Sequence, residues 1–319
     1  MARRGMKAVL YLNNYWQWSG GMNQYVSWVT GRPVVDPDVS GDWPRFIATS
    51  AEFYRLPEAQ DLYRRYLRHI IERRNTVNGR LYRDDPTIMA WQLANEPRPG
   101  VHGQDPALND VFVQWVAETA AYIKRLDPKH LVSTGSEGSW GSLDDMDLYK
   151  RAHRDPNVDY LTVHLWIKNW SWFDAKNPEA TYPTAVANAE RYLREHVQAA
   201  RELGKPLVLE EFGVERDGGD YRIESSTHYR DRFLTTVYAW VLEDARGGGP
   251  FMGSNLWTWG GAGRARHPDL VWRPGDPFTG DPPQEPQGLN SVFDIDRGTL
   301  AVIRAHAREM NRLGRAAGP

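Results

Sequence analysis

Two glutamates follow apolar, strand-like runs and are the residues of this sequence best suited to paired acid–base chemistry. Glu96 ends the segment 91–96 and is followed by Pro97, which forces the chain out of a strand directly after the carboxylate. Glu211 ends a second apolar run and is preceded by another acid, Glu210. Because successive strand side chains face opposite ways, only one of these two adjacent acids can enter a shared site. The pattern alone does not say which.

Such a pair of carboxylates predicts the hydrolysis of a glycoside with retention of configuration. One carboxylic acid protonates the leaving oxygen, and one carboxylate attacks the anomeric carbon. Asn95, beside Glu96, would then bond the sugar 2-hydroxyl in the transition state. Each motif by itself is equally well explained as a strand-to-loop turn with a solvated acid. Their joint presence at the ends of two strands favours the catalytic interpretation.

The elements that must position these acids alternate short apolar runs with long amphipathic stretches. We expect strands at 8–12, 88–93, 131–134, 160–165, 207–209 and 252–257. We expect helices at 62–71, 108–126, 189–203, 229–241 and 300–310. Strands that alternate with single helices predict βα units and a parallel sheet. A barrel is favoured over a doubly wound sheet because no Gly-rich phosphate loop follows a strand.

Two segments, 31–54 and 260–287, are rich in Gly, Pro and Asp and are expected to be long loops. Each follows a predicted strand, at the face where barrel loops build active sites.

Composition excludes several classes of partner. The 39 basic and 41 acidic residues nearly cancel, so nothing indicates binding to nucleic acid or an anionic membrane. No apolar run reaches the roughly 20 residues of a membrane span. The 14 Trp favour a carbohydrate groove, because indole stacks on sugar rings. No metal-ligand spacing is seen, cysteine is absent, and the chain starts without a signal segment. Secretion is expected for the full-length protein, but the localisation is left open.

Five stretches resemble glycoside hydrolase family 5, in its β-mannanase/β-mannosidase group. They are LYLNNYWQWSGG at 10–21, WQLANEP at 91–97, TVHLWIKNW at 162–170, LEEFG at 209–213 and WTWGG at 257–261. The resemblance implies a (β/α)8 TIM barrel that needs no cofactor. It also implies cleavage of β-1,4-mannosidic bonds in mannan or glucomannan by double displacement, as in a mannan endo-1,4-β-mannosidase.

The resemblance also assigns roles to individual residues. It implies that Glu211 is the nucleophile, that Glu96 is the acid/base and that Glu210 points into the wall. The substrate-binding residues implied are Asn14, Trp16, Asn95, His164, Trp166, Trp170 and Trp257. Trp166 stands where many members have Tyr, which leaves the hydrogen bonds to the nucleophile open.

Several of these residues have a plainer interpretation. His164 could be a core histidine, and Glu137 a turn carboxylate rather than part of a subsite. Core packing explains Trp16, Trp18 and Trp28 as well as sugar stacking does. Trp170 and Trp172 lie in a polar loop, which favours exposure and a subsite role.

By the same resemblance, the strand at 8–12 is the third of the family barrel. The chain 1–319 is therefore expected to be a single catalytic domain, N-terminally incomplete, that lacks the first two βα units. Two alternatives stay open: a β-1,4-glucanase of the same mechanism, and a catalytically inactive carbohydrate-binding barrel. The oligomeric state is not predicted.

Overall fold

The structure, a computed structural model, describes residues 1–316. These residues fall into two compact units, Met1–Thr162 and the part that begins at Val163. Each unit contains a three-stranded sheet whose strands are separated in the chain by helices. None of the helices among the described residues combines the length and apolarity needed to cross a membrane.

The sheet of the first unit has the order β1-β2-β3, with all strands parallel. Its strands are β1 (Ala8–Tyr11), β2 (Ile88–Gln92) and β3 (Leu131–Ser133). Its helices are α1 (Gly21–Thr30), α2 (Pro37–Ser40), α3 (Trp43–Ala51), α4 (Pro57–Ile71), α5 (Ala107–Leu126) and α6 (Met146–His153). In the register, Leu10 lies opposite Trp91, which lies opposite Val132.

Aromatic side chains fill the core of this first unit. Phe53, Tyr54, Tyr63 and Trp115 are buried and meet mostly edge to face, with Tyr54 and Trp115 ring centroids 5.1 Å apart. The hydroxyl of Tyr63, on α4, donates to the carbonyl of Leu93 just beyond β2. The helix layer therefore fixes the backbone that leads to Glu96, because a buried carbonyl needs its donor.

The sheet of the second unit has the order β4-β5-β6. Its strands are β4 (Leu161–Leu165), which begins two residues before the unit boundary, β5 (Leu207–Phe212) and β6 (Phe251–Ser254). Helices α7 (Pro178–Leu203), α8 (His228–Arg246) and α9 (Arg297–Ala316) alternate with them, and β7 (Trp259–Gly261) pairs with β8 (Val292–Phe293). A long helix thus separates β4 from β5, as is usual between parallel neighbours.

A long loop joins β7 to β8, and its returning arm is tied to the interior. The carboxylate of Asp281 accepts hydrogen bonds from the backbone N–H of Gly288 and of Asn290, both at 2.8 Å. The buried guanidinium of Arg230, on α8, donates to the carbonyls of Ser291 at 2.9 Å and Leu289 at 3.2 Å. Burial and the charge of Arg216 lower the pKa of Arg230 to about 10. The arm is therefore held by several hydrogen bonds in which the donor or the acceptor is charged, and such bonds are stronger than neutral ones.

The six expected strands are confirmed, with small changes in their bounds. The fifth extends to Phe212, so that both adjacent glutamates lie inside β5. The sixth ends at Ser254 rather than at 257. The chain beyond it keeps bonding to β5, because Asn255 N–H donates to Leu209 O at 2.8 Å. The short pair β7 and β8 was not expected.

The prediction that 31–54 is a loop is wrong, because this segment contains α2 and α3. Its Asp and Pro residues are helix-start signals rather than loop residues. The Asp36 and Asp42 side chains cap α2 and α3, and each helix has a proline in its first turn. The five predicted helices are present, and α7 begins at Pro178 rather than 189. Helices α1 and α6 were missed.

Candidate active site

Glu96 lies beyond the C-terminal end of β2, where the backbone is bonded on both sides. Its N–H donates to Gly135 O at 2.9 Å, while Asn95 N–H donates to Asn13 O at 3.0 Å. Gly135 has φ +78°, and a Cβ there would meet Ala94 O at 2.0 Å, so only glycine allows this close approach. Glu96 itself has φ +50°, in the left-handed region. The turn into Pro97 is thus imposed from both neighbouring strands.

The carboxylate of Glu96 is buried and accepts a hydrogen bond from an indole. Only 7% of the residue is exposed, and Trp16 Nε1 donates to Glu96 Oε2 at 2.6 Å. Trp16 in turn stacks on Phe46, with ring centroids 6.1 Å apart and planes at 16°. This packing fixes the donor, so the indole orients one oxygen of the carboxylate.

Arg98 brings a positive charge next to Glu96. Its guanidinium lies 4.6 Å from the centroid of the Trp16 ring and forms an ion pair with Glu137. Burial lowers the pKa of Arg98, but the negative charges of Glu137 and Glu96 outweigh it and the pKa is raised. Arg98 is therefore a firmly held cation, which is a favourable neighbour for a carboxylate.

Asn95 and Asn14 form the other side of this cluster. Asn14 Oδ1 accepts from Trp16 N–H at 3.0 Å and from Asn95 Nδ2 at 3.4 Å. The Asn95 Oδ1 atom is buried and has no hydrogen-bond partner within residues 1–316. It is an acceptor that a ligand hydroxyl can use.

Glu211 lies in β5, with 5% of the residue exposed. Its Oε2 is 3.4 Å from Nδ1 of His164, a fully buried residue of β4. The next residue, Phe212, packs edge to face on Tyr238 of α8, with centroids 5.5 Å apart. Because strand side chains alternate, Glu210 shares the helix-facing side with Phe212, and Glu211 faces the other way.

Trp257 and Trp166 meet edge to face near the end of β5, with ring centroids 6.2 Å apart. Trp257 N–H donates to Phe212 O at 3.0 Å, and the Trp257–Thr258 peptide bond is cis. Gly213 makes this approach possible, since a Cβ there would lie 2.4 Å from Trp257 O. Both indoles are partly exposed, as a surface that stacks on sugar must be.

Trp170 differs from the expectation, whereas the role of Trp28 was left open. Trp170 was expected to be exposed, but it is 7% exposed and packs on Tyr192 of α7 with centroids 4.9 Å apart. It is a core residue because the loop turns back, with Trp170 N–H donating to Trp166 O at 3.0 Å. Trp28 is largely exposed on α1 and packs edge-on against Tyr25.

Sequence reasoning missed two charged residues near these clusters. Arg98 comes directly after the Asn-Glu-Pro motif, and this position was the only sign in the sequence of a role for it. Lys168 lies within a stretch that supported the family resemblance but was given no role. It forms a partly buried ion pair with Glu215, with 2.6 Å between Lys168 Nζ and Glu215 Oε2. Ion pairs between loops have no sequence period, so spacing could not reveal this one.

Comparisons with known proteins give the chain clear relatives. The putative mannan endo-1,4-beta-mannosidase 4 of Arabidopsis thaliana is 29% identical over 328 residues, covering 98% of this chain and 70% of the relative. Mannan endo-1,4-beta-mannosidase 8 of Oryza sativa subsp. japonica is 31% identical over 321 residues, covering 96% of this chain and 75% of the relative.

Solved structures resemble the chain along nearly its whole length. The glycoside hydrolase family 5 mannosidase from Rhizomucor miehei has a TM-score of 0.86 and 34% identity, covering 99% of this chain and 74% of that one. The endo-beta-1,4-mannanase from Thermotoga petrophila has a TM-score of 0.67 and 27% identity, covering 97% of this chain and 59% of that one. These neighbours imply a (β/α)8 TIM barrel fold, with which the alternating parallel strands and helices agree.

The family model described as GH family 5 beta-mannosidase-like matches residues 1–315. Both the motifs around Glu96 and Glu211 fall within this match. The chain therefore belongs to the β-mannosidase-like group of glycoside hydrolase family 5.

Proposed function

We propose that this chain is a retaining glycoside hydrolase that cleaves β-1,4-mannosidic bonds, with Glu96 as acid/base and Glu211 as nucleophile. The observation that carries the proposal is that two buried glutamates lie at the C-terminal ends of strands and that each has a ring nitrogen beside its carboxylate: Trp16 Nε1 at Glu96 and His164 Nδ1 at Glu211. The relatives named as mannan endo-1,4-beta-mannosidases supply the bond type.

The reaction proceeds in two displacements. First, Glu96 donates its proton to the glycosidic oxygen while Glu211 attacks the anomeric carbon, so that the C–O bond breaks and a glycosyl ester forms. Then Glu96, now a carboxylate, takes a proton from water as the water oxygen attacks the same carbon and releases Glu211. Two inversions give net retention.

The surroundings of Glu96 suit a group that changes charge during this cycle. The Trp16 N–H and the positive charge of Arg98 both stabilise the carboxylate that forms when the proton leaves. Asn95 Oδ1, buried and without a partner among the described residues, can accept a hydrogen bond from the sugar 2-hydroxyl. Such a bond strengthens in the transition state.

The surroundings of Glu211 support its choice over Glu210. Glu211 lies on the face of β5 that meets His164, whereas strand alternation turns Glu210 to the side of Phe212 and α8. His164 fixes the orientation of the attacking oxygen. Trp257 and Trp166 supply aromatic surface for the sugar ring.

At the level of the fold, we propose a single catalytic domain in which β1 to β6 take the places of the third to eighth barrel strands. The β2 and β5 ends would then be the fourth and seventh positions, which carry the acid/base and the nucleophile in this family. The coverage of 74% of the R. miehei enzyme supports this correspondence.

The substrate is tested by incubating the protein with mannan, glucomannan and cellulose and measuring released reducing sugar. We expect release from mannan and glucomannan but not from cellulose, and an initial product of β configuration by proton NMR. Faster release from cellulose would favour the β-1,4-glucanase alternative. Binding without release from any of the three would indicate an inactive carbohydrate-binding barrel, and an initial α product would exclude retention.

A further inference from the structure

Lys168, Glu215 and Tyr221 form a closed triangle of hydrogen bonds in the second unit. Lys168 Nζ donates to Glu215 Oε2 at 2.6 Å and to the Tyr221 hydroxyl at 2.7 Å. The Tyr221 hydroxyl in turn donates to Glu215 Oε2 at 2.9 Å. The lysine also lies 5.1 Å from the centroid of the Tyr221 ring. None of these residues has a role in the two-step mechanism above.

The triangle holds both charges in place at the edge of the interior. The Glu215 side chain is 6% exposed and that of Lys168 is 33% exposed. Partial burial lowers the pKa of Lys168, but the hydrogen bonds from Nζ to Glu215 and Tyr221 outweigh it, so the pKa is raised. Lys168 is therefore a firmly held cation whose hydrogen bonds fix its orientation beside Glu215, unlike a lysine in a mobile surface ion pair.

Each of the two charged groups has a free hydrogen-bonding position. An ammonium has three N–H donors, and Lys168 uses two of them within the described residues. Both bonds to Glu215 reach Oε2, which leaves Oε1 without a described hydrogen bond. The pair thus presents one charged donor and one charged acceptor side by side. Two neighbouring hydroxyls of a sugar ring match such a pair, because each hydroxyl can donate and accept.

The position of the pair relates it to the proposed nucleophile. Lys168 lies three residues beyond the end of β4 at Leu165, and Glu215 lies three residues beyond the end of β5 at Phe212. These adjacent strands carry His164 and Glu211. The Lys168–Glu215 pair therefore lies at the same edge of the sheet, farther along the segments that follow the two strands. Ligands of α/β sheets bind at this carboxyl edge.

We propose that the Lys168–Glu215 pair binds two neighbouring hydroxyls of the sugar unit next to the one whose bond is cleaved. This inference rests on the proposed function for the identity of the ligand. Tyr221 acts as a positioning residue, because it bonds both charged groups and keeps their free positions directed at the ligand. The pair favours a substrate of at least two sugars over a single sugar with an artificial leaving group.

The experiment compares kcat/KM for β-1,4-mannotriose with kcat/KM for 2,4-dinitrophenyl β-mannoside. In Lys168→Met the ratio of the two values should fall about tenfold or more, since hydrogen bonds from a charged group are lost only with the longer substrate. Lys176→Met is the matched control, because Lys176 is exposed in the same unit and forms no ion pair there among the described residues. Its ratio should equal that of the unchanged protein.

A double variant, Lys168→Met with Glu215→Gln, guards against misfolding from an unpaired buried carboxylate. It should show the same fall in the ratio. A ratio within twofold of the unchanged protein, or a parallel loss on both substrates, would overturn the proposal and leave the pair a structural one. If the unchanged protein cleaves neither substrate, the proposed function fails separately. In that case the affinity for mannotriose is measured by calorimetry. An affinity at least tenfold weaker in the double variant than in the unchanged protein supports the proposed binding role of the pair. Equal affinity of the two proteins, or no binding by the unchanged protein, rejects it.

Discussion

Trp16 and Glu96, which are 80 residues apart in the chain, are joined by a 2.6 Å hydrogen bond from the indole N–H to the carboxylate. Trp16→Phe keeps the stacking on Phe46 but removes this donor. We expect kcat/KM on mannan oligosaccharides to fall about 10- to 100-fold, the usual effect of losing a hydrogen bond to a charged group. Because the donor favours the carboxylate form, the basic limb of the pH–rate profile should also move to higher pH. An unchanged limb would mean that Trp16 has only a packing role.

The assignment of the two glutamates predicts different products when azide replaces the lost carboxylate. In Glu211→Ala, turnover should fall by about three or more orders of magnitude. With 2,4-dinitrophenyl β-mannoside, azide should restore it by attacking the anomeric carbon directly, giving the α-mannosyl azide. In Glu96→Ala the ester on Glu211 still forms, and azide should displace it to give the β-mannosyl azide. Proton NMR of the products distinguishes the two.

Glu210→Gln is the control for this experiment. It should keep most of the activity and give no azide product. Damage as large as that of Glu211→Ala in a folded protein, or rescue of Glu210→Ala as the α azide, would reverse the choice between the adjacent glutamates.

Gly213, two residues after the proposed nucleophile Glu211, has no room for a side chain. A Cβ at this position would lie 2.4 Å from Trp257 O and 3.1 Å from Asn290 Oδ1. Gly213→Ala should therefore destabilise the protein by about 1–3 kcal/mol and displace Trp257, with a loss of activity. Gly253→Ala is the matched control, because nothing lies within 4 Å of a Cβ there. Urea unfolding and kcat/KM of both variants are compared, and equal behaviour would contradict the prediction.

Because of the buried His196, we expect the free energy of unfolding to decrease in mild acid. It is fully buried in α7, and burial lowers its pKa from 6.5 to about 4, against the hydrogen bond from its ring to Tyr192 O. Between these two pH values the unfolded chain binds the proton and the folded one does not. Stability should therefore be complete above pH 6.5 and decline as the pH falls towards 4, by roughly 3 kcal/mol from this residue.

The measurement is the urea midpoint at several pH values between 7.5 and 4. His196→Gln should flatten this dependence in part, since the buried His306, with its pKa also lowered to about 4, remains. A slope identical to that of the unchanged protein would show that His196 titrates normally in the folded state.

The strands could be predicted, and the two glutamates singled out as candidates, because both signals are local. Apolar runs mark the strands, and the proline after Glu96 ends one of them. The family resemblance implies Glu211 rather than Glu210, but a choice from the residue pattern alone would need a packing contact such as that of Phe212 with Tyr238 of the distant helix α8. Alternation predicts that the two acids face opposite ways, but only a packing partner shows which face is which.

The wrong predictions came from residue types that occur in more than one kind of local structure. Asp36 and Asp42 suggested a loop, yet each caps a helix, since Asp and Pro favour turns and helix starts alike. Trp170 suggested a sugar platform, yet a turn returns it to Tyr192. Lys168 could not be found, because its partners Glu215 and Tyr221 lie 47 and 53 residues away.

One arm of the β7–β8 loop is anchored to the interior, which leaves part of its exposed span, 262–278, open to replacement by other sequences. Asp281 and Arg230 pin the returning arm, and the residues from Gln287 to Phe293 are buried, whereas most residues of 262–278 are exposed. The outer span even displays a stacked pair of rings, Trp272 and Phe278, 5.5 Å apart. A protein engineer can therefore vary the length and decoration of 271–278 while keeping Arg264, which pairs with Asp294, and Leu270, whose carbonyl accepts from Gln287 N–H.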